Sequence, residues 1–421
     1  MGDSLKSLDY YEELLELTME LAYGIQCCGA ETYRVEDTVT HVLSAYGIQA
    51  EVFVIPNCII TSIHTPEGLS LNRMRRSRGA SNNLEGVEKY SALSRELCRD
   101  KPDLADFRGR LQKTKAELRH YGFWISLLGH ALAAAGFSVY FGGNWMDCLV
   151  GGCCGVAVGA IGALLSRFHT NVFFQTVASS FVLALVGHIL MSLGVGYCLD
   201  AALIGTIMLL VPGLLFTNSV RDIIYGDSMS GVNRLVQVII ISIALAVGIG
   251  AGATFSNAIL GVSASAPALD NGFILELLGC LVATVGFCVV FNLHGPGIVF
   301  CLIGTALSWG SYSLCELLGA SEIVGYLVAA ALSAIFAETM ARIRRYPSTP
   351  YLIMALLPLI PGSAIYYSMV HAVAGEMNKF IDRIAYTAAL AGTLAVGILL
   401  ASTLFRILTV AKMRRQHRLH K

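Results

Sequence analysis

From residue 121 to residue 411 the chain is a succession of apolar runs, each about 20 residues long, separated by short polar stretches. A helix of that length spans the hydrocarbon core of a bilayer, and inside lipid only helices and closed barrels satisfy their own backbone. The pattern therefore predicts an all-α polytopic membrane bundle. Ten spans are expected, near 122–141, 145–166, 172–191, 199–219, 232–253, 271–291, 295–315, 322–341, 350–370 and 384–408.

Residues 1–120 belong to a different solvent, since they carry most of the acidic residues and many of the basic ones. Across 421 residues, 55% are hydrophobic and only 14% charged, so the apolar half dominates the average. The organisation expected is an N-terminal cytosolic α+β domain (1–120), two five-helix membrane repeats (121–255 and 270–411) and a basic cytosolic tail (412–421). Glycines crowd the apolar half, at Gly151, Gly152, Gly155, Gly159 and Gly162 for example, and small residues let membrane helices approach closely. The 12 cysteines lie mostly within apolar runs, and the adjacent pairs Cys27-Cys28 and Cys153-Cys154 lack the spacing of a metal or redox motif. Packing thiols, no metal and no cofactor are expected. The net charge of zero says nothing about nucleic acid, but no basic stripe interleaved with aromatics is present, and nucleic acid is not expected as a partner.

Lys and Arg near the span ends set the orientation. Arg110, Lys113, Lys115 and Arg119, then Arg167, Arg221, Arg234, Arg342, Arg344 and Arg345, and finally Lys412, Arg414, Arg415, Arg418 and Lys421 fall on one side of a ten-span bundle. The connection 254–271 carries neither Lys nor Arg and falls on the other, with Lys379 and Arg383 as a minor exception. Met1 to Glu20 is acidic and amphipathic, unlike a signal peptide. Both termini are expected in the cytosol of a cell-membrane protein.

The two sets of five spans resemble each other at an offset of 149 residues. Pro212-Gly213 maps onto Pro361-Gly362, Leu245-Ala246-Val247-Gly248-Ile249 onto Leu394-Ala395-Val396-Gly397-Ile398, and Arg234 onto Arg383. An odd number of spans per copy makes the second copy enter the membrane from the opposite side. Inverted repeats of this kind suit alternating access around a midplane site.

Proline removes a backbone donor and clashes with the preceding turn, so the fourth and ninth spans are expected to break at these Pro-Gly pairs. Paired interruptions point to the binding site of a transporter. The expected substrate-binding set is Pro212, Gly213, Thr217, Asn218, Arg221 and Asp222 after the first break, with Pro361, Gly362, Tyr366 and Tyr367 at the second. Asn218 and Asp222 share a helix face at i and i+4, and a half-helix starting near Leu214 would turn its positive end toward a carboxylate. Arg221 and Asp222 read equally as an interfacial anchor. Ionisable residues inside spans are costly in lipid, which singles out His130, His188, Glu276 and Glu338. Asp222, His188 and Glu338 are the proton-coupling candidates, although a packing role for His188 and a pair between Glu338 and Arg342 are the plainer readings.

In the N-terminal domain, Tyr11–Cys28 and Glu31–Tyr46 read as amphipathic helices, the latter with Val35, Val39, Val42 and Tyr46 at helical spacing. Strands are expected at 51–55 and 58–64 around Pro56-Asn57, and near 69–76, followed by helices near 84–97 and 103–120. Glu31, Arg34, Glu36, Asp37 and His41 form a polar cluster without the spacing of a zinc site or phosphate loop.

The run Gly29-Ala30-Glu31-Thr32-Tyr33-Arg34-Val35-Glu36-Asp37-Thr38, followed by Ala45-Tyr46-Gly47 and a strand ending at Pro56, resembles the N-terminal signature of the threonine/serine exporter family. Val211-Pro212-Gly213 with Asn218, Arg221, Asp222 and Gly226-Asp227 is similar to that family's membrane core. The resemblance implies a fused, ten-span, proton-driven exporter of threonine and serine and no enzymatic activity. Some relatives are split into two chains and associated with dicarboxylate export, so succinate is the alternative cargo. A membrane sensor with a ligand-binding N-terminal domain is the alternative of another class. The partners implied are the small substrate, protons and membrane lipid, with homo-oligomerisation left open.

Overall fold

The computed structural model describes residues 7–65, 68–77, 83–168, 170–212, 215–216, 218–219, 222–223, 226–261, 266–344 and 346–419. The chain divides into two compact units, one of Met1–His120, Phe291–Leu293 and Ala341–Thr349, the other of Tyr121–Val290, His294–Met340 and Pro350–Lys421.

In the first unit, helices α1 (Leu8–Cys27) and α2 (Thr32–Ala45) precede strands β1 (Ala50–Ile55), β2 (Cys58–His64) and β3 (Ser70–Arg76), and α3 (Leu84–Asp100) and α4 (Leu104–Ala116) follow. Ser7, Asn83 and Asp103 cap α1, α3 and α4 by accepting backbone N–H groups of the first turn. The sheet is antiparallel in the order β1-β2-β3, and Ile55 pairs with Cys58 across the Pro56-Asn57 turn. Alternation along β2 buries Ile59, Thr61 and Ile63. Those isoleucines join Leu14, Leu21 and Ile25 of α1 and the Val35, Val39, Val42 stripe of α2 in one core.

Two segments from late in the sequence complete this unit. Leu84 N–H donates to the Phe291 carbonyl at 3.0 Å, and Asn292 Nδ2 donates to Asn83 Oδ1 at 3.0 Å and to the Arg119 carbonyl at 2.5 Å. The Thr349 hydroxyl donates to the Glu31 carboxylate (2.9 and 3.1 Å) and accepts from Arg34 Nη2 (3.1 Å), while Arg34 Nε pairs with Glu31 at 3.0 Å.

The second unit is helical: α5 (Phe123–Tyr140), α6 (Trp145–Arg167), α7 (Val172–Ser192), α8 (Leu199–Ile207), α9 (Ser228–Leu260), α10 (Gly272–Val290), α11 (Gly297–Leu317), α12 (Glu322–Arg344), α13 (Thr349–Leu356), α14 (Gly362–Val373) and α15 (Met377–Leu419). Thr349 opens α13 but belongs to the first unit, as do the last four residues of α12. Eight of these helices are long and apolar enough to cross a membrane, and α13 with α14 makes a ninth candidate bent by 53°.

The interruptions expected in the ninth and fourth spans are present among the described residues. The ninth expected span is interrupted by a short 3-10 turn, Leu357–Leu359, and by Pro361 before α14. Within the fourth, 199–219, the nine-residue α8 ends by tightening into i→i−3 bonds from Leu209 to Thr206 and from Leu210 to Ile207 just before Pro212. A ring with no N–H that collides with the preceding turn accounts for both interruptions.

At the 149-residue offset α5, α6, α7, α8 and α9 begin within three residues of the positions where α10, α11, α12, α13 and α15 begin. Helices α5 and α10 cross antiparallel on glycines. A Cβ on Gly136 would lie 2.5 Å from the Gly279 carbonyl oxygen and one on Gly286 would lie 2.6 Å from that of Gly129, so residue numbers rise along one helix as they fall along the other. Tyr121 stacks on His294 at one end of this pair, with ring centroids 4.0 Å apart. At the other end Asn271 Nδ2 donates to the Val139 and Gly143 carbonyls at 2.7 and 2.9 Å. Similarly, Gly248 of α9 meets α7 with no room for a side chain, a Cβ there falling 2.4 Å from the Val177 carbonyl.

Candidate functional site

The two interruptions come together. A Cβ on Gly362 would lie 2.1 Å from Met208 Sδ, so α14 starts against the end of α8. Leu210 and Val211, immediately before Pro212, pack on the same apolar cluster as Leu203 and Ile207 of α8 and as Tyr366 and Tyr367 of α14. Tyr140 at the end of α5 donates its hydroxyl to the Pro358 carbonyl at 2.9 Å and so supplies a partner for the interrupted backbone ahead of Pro361.

Within this apolar setting stands one hydrogen-bonded acid. Tyr366, buried, donates its hydroxyl to Asp200 Oδ1 at 3.1 Å. Asp200 is the second residue of α8 and half-buried, so its carboxylate is fixed by a partner yet reachable. No side chain caps the first turn of α14 at Pro361-Gly362. Gly362 N–H donates to the Ile360 carbonyl at 2.6 Å, so it is the helix dipole that favours an anion there, whereas Asp200 favours a cation, and the two features lie on helices that touch.

Asp147 performs a different task. It is fully buried, and its carboxylate accepts from the backbone N–H groups of Tyr197 (2.7 Å), Cys198 (2.9 Å) and Asn144 (2.9 Å). Asn144 accepts in return from Met146 and Asp147, which completes a capping box at the start of α6. Asp147 thereby holds the segment that feeds α8 and sets where Asp200 begins its helix. Asp147 and Asp200 both escaped the sequence reading. Each is an acid at the edge of an expected span, and the rule that acids in membrane segments are costly could have found them.

Of the predicted site residues, Pro212, Pro361, Gly362, Tyr366 and Tyr367 are brought to this region. Gly213, Thr217 and Arg221 lie outside the described residues. Asn218 is half-buried, and Asp222 is buried and forms an ion pair with Arg234 Nε at 3.0 Å. This partner of Asp222 comes from α9, 12 positions on in sequence.

The 149-residue offset sends Asp222 and Arg234 to His371 and Arg383. His371 Nδ1 sits 2.6 Å from Glu376 Oε2, and Arg383 lies over the Tyr367 ring at 6.0 Å. A polar cavity of about 370 Å³ is lined by His371, Lys379, Asp382, Arg383 and Tyr386, directly beside Tyr367. His188 is buried and its Nδ1 donates to its own helix at the Ala184 carbonyl (2.7 Å), as His130 does to Ser126 (2.7 Å). Glu338 is half-buried on α12 with Arg342 one turn on. Among the described residues no three His, Cys, Asp or Glu side chains are grouped to hold a metal ion.

Comparison with known proteins accounts for nearly the whole chain. A sequence profile for threonine/serine exporters matches residues 16–256, and a second threonine/serine exporter profile matches residues 276–404. The chain is 24% identical over 416 residues to a protein of Mycobacterium tuberculosis named "Probable threonine/serine exporter", covering 93% of this chain and 77% of that one. It is also 24% identical over 384 residues to the threonine/serine exporter of Corynebacterium glutamicum, covering 87% and 77%. A pheromone-regulated membrane protein of Zygosaccharomyces rouxii matches 53% of this chain at 24% identity. No solved structure matches the chain.

Proposed function

The chain belongs to the threonine/serine exporter family, whose members are multi-pass membrane transporters and not enzymes, and from that premise we propose that it exports threonine or serine, coupled to protons, through the junction of its two broken helices. The observation that carries this reading is the Asp200–Tyr366 hydrogen bond at that junction. Asp200 receives the ammonium group of the amino acid. Arg383, over the Tyr367 ring, receives its carboxylate from the side of the neighbouring polar cavity. A zwitterion finds a partner for each charge, whereas a dicarboxylate would set one of its charges against Asp200.

Two features support inverted halves around this site. One is the antiparallel crossing of α5 and α10 with helix starts in register at the 149-residue offset. The other is that Phe291–Leu293 and Ala341–Thr349 share a compact unit with the N-terminal residues, which supports reading those connections as lying on the same side of the bilayer as residues 1–120. That side is proposed to be the cytosol, with both chain termini there. The Asp222–Arg234 pair is then the cytosolic counterpart of the Arg383 region and the first candidate for proton coupling. His188 and Glu338 complete the ionisable set, and Asn218 and the residues around Pro212 form the cytosolic approach.

The test is transport by the purified protein in liposomes loaded with labelled threonine, serine or succinate under an imposed pH gradient. Gradient-dependent efflux of threonine or serine is the expected result. Movement of succinate alone would replace the cargo, and no movement of any of the three would refute the reading.

A further inference from the structure

The polar cluster on α2 that found no role in transport lines one wall of a groove. Arg34, Asp37 and His41 face Ser94, Arg95 and Arg99 of α3 around a cavity of about 500 Å³ open to solvent. The spacing i, i+3, i+7 on α2 and the i, i+4 pair Arg95 and Arg99 on α3 put each set on one helical face, and the remaining lining adds the hydroxyls of Tyr33, Thr38 and Ser91 and the Cys98 thiol. Three guanidinium groups stand against a single lining carboxylate, Asp37. Arg34 is held in place from behind by Glu31 and Thr349, which aligns its fork, and Arg99 is held by Asp100 at 2.8 Å. Burial and then the nearby charge of Arg34 lower the Arg95 pKa, as expected where two guanidinium groups crowd one another. A planar fork that is already oriented loses little freedom on gripping a carboxylate or phosphate.

We propose that this groove is a binding site for a small anion bearing a carboxylate or phosphate group, separate from the transport junction, with Arg34, Arg95 and Arg99 as its anchors. Asp37 opposes the charge of the ligand from the rim and so limits its affinity. Occupancy would act on Arg34, the residue that also grips Thr349 at the start of α13.

The experiment is calorimetric titration of the full-length protein in detergent with inorganic phosphate and with succinate, at ionic strength matched by sodium chloride. Neither arm depends on transport, so failure of the export reading leaves the result interpretable. Saturable binding of at least one probe is expected, weakened tenfold or more in Arg95→Gln and strengthened in Asp37→Asn, with thermal unfolding unchanged in both. Phosphate alone binding would assign a phosphate ligand, and succinate alone a carboxylate one. Absence of saturable binding by both probes overturns the proposal, as does binding that is the same in Arg95→Gln as in the unmodified chain. Retained affinity in Asp200→Asn separates this groove from the transport junction, and loss of binding there would overturn the separation.

Discussion

Asp200 and Glu88 are two acids in different surroundings. Asp200 is stabilised by a phenolic donor at a site where an ammonium group is proposed to bind, so Asp200→Asn is expected to lower threonine efflux about tenfold or more, the equivalent of roughly 1.4 kcal/mol or more of lost stabilisation. Tyr366→Phe, which removes only the orienting hydroxyl, should have the smaller effect. Flux in liposomes checks both, and unaltered transport by Asp200→Asn would remove the acid from the site. Glu88, in the N-terminal unit, has its carboxyl pKa raised by burial, an effect partly offset by its hydrogen bond from Tyr346 and by Arg344. The folded state therefore keeps the Glu88 proton to higher pH than the unfolded chain does. Stability falls as pH rises through that window, because the unfolded state binds fewer protons there. Glu88→Gln is expected to flatten the decline in melting temperature as pH rises above the ordinary carboxylate range and to be the more stable protein at the upper end. An unchanged pH profile would show that burial of this carboxyl is inconsequential.

Elements in this bundle are held by close backbone approach more than by side-chain bulk. Between lipid-facing helices there is no water to expel, and van der Waals contact supplies the attraction. At the α5–α10 crossing a single methyl on Gly286 would fall 2.3 Å from the Ala133 backbone nitrogen, and backbone cannot step aside as a side chain can. Gly286→Ala is expected to destabilise the protein by about 1–3 kcal/mol through overpacking. The comparison is Gly162→Ala, where open space surrounds the position and little change should follow. Thermal unfolding in detergent distinguishes them, and equal melting temperatures would contradict the crossing. Local sequence was informative about these elements. The Val35–Val39–Val42 stripe, the hairpin turn at Pro56-Asn57 and the interruptions at Pro212 and Pro361 all follow from spacing or from the chemistry of proline.

For the whole molecule, the proposed inverted halves place Glu117 and Asp270 on opposite sides of the membrane, five expected spans apart. With the natural cysteines replaced, an impermeant maleimide added outside intact cells is expected to label Asp270→Cys and to spare Glu117→Cys until the membrane is opened. Labelling of both from outside would overturn the orientation. The two-sidedness also gives the signature segment of α2 a structural task, since Glu31 and Arg34 grip Thr349 from a distance of 318 positions in sequence.

The sequence by itself determined the membrane class of the protein, its N-terminal sheet and helices, its paired proline interruptions and its family. These depend on quantities carried by short windows: the transfer free energy of about 20 residues, a helical or strand period, one ring without an N–H. Tertiary structure alone decided the partners. Asp200 meets Tyr366 across 166 positions, Asp222 meets Arg234, and Asp147 holds the backbone ahead of α8. The reason is that an apolar helix is equally soluble in lipid on every face, so its sequence says that it crosses the membrane but not which neighbour it will touch. Close packing of glycines and the few polar groups that must find one another settle that choice.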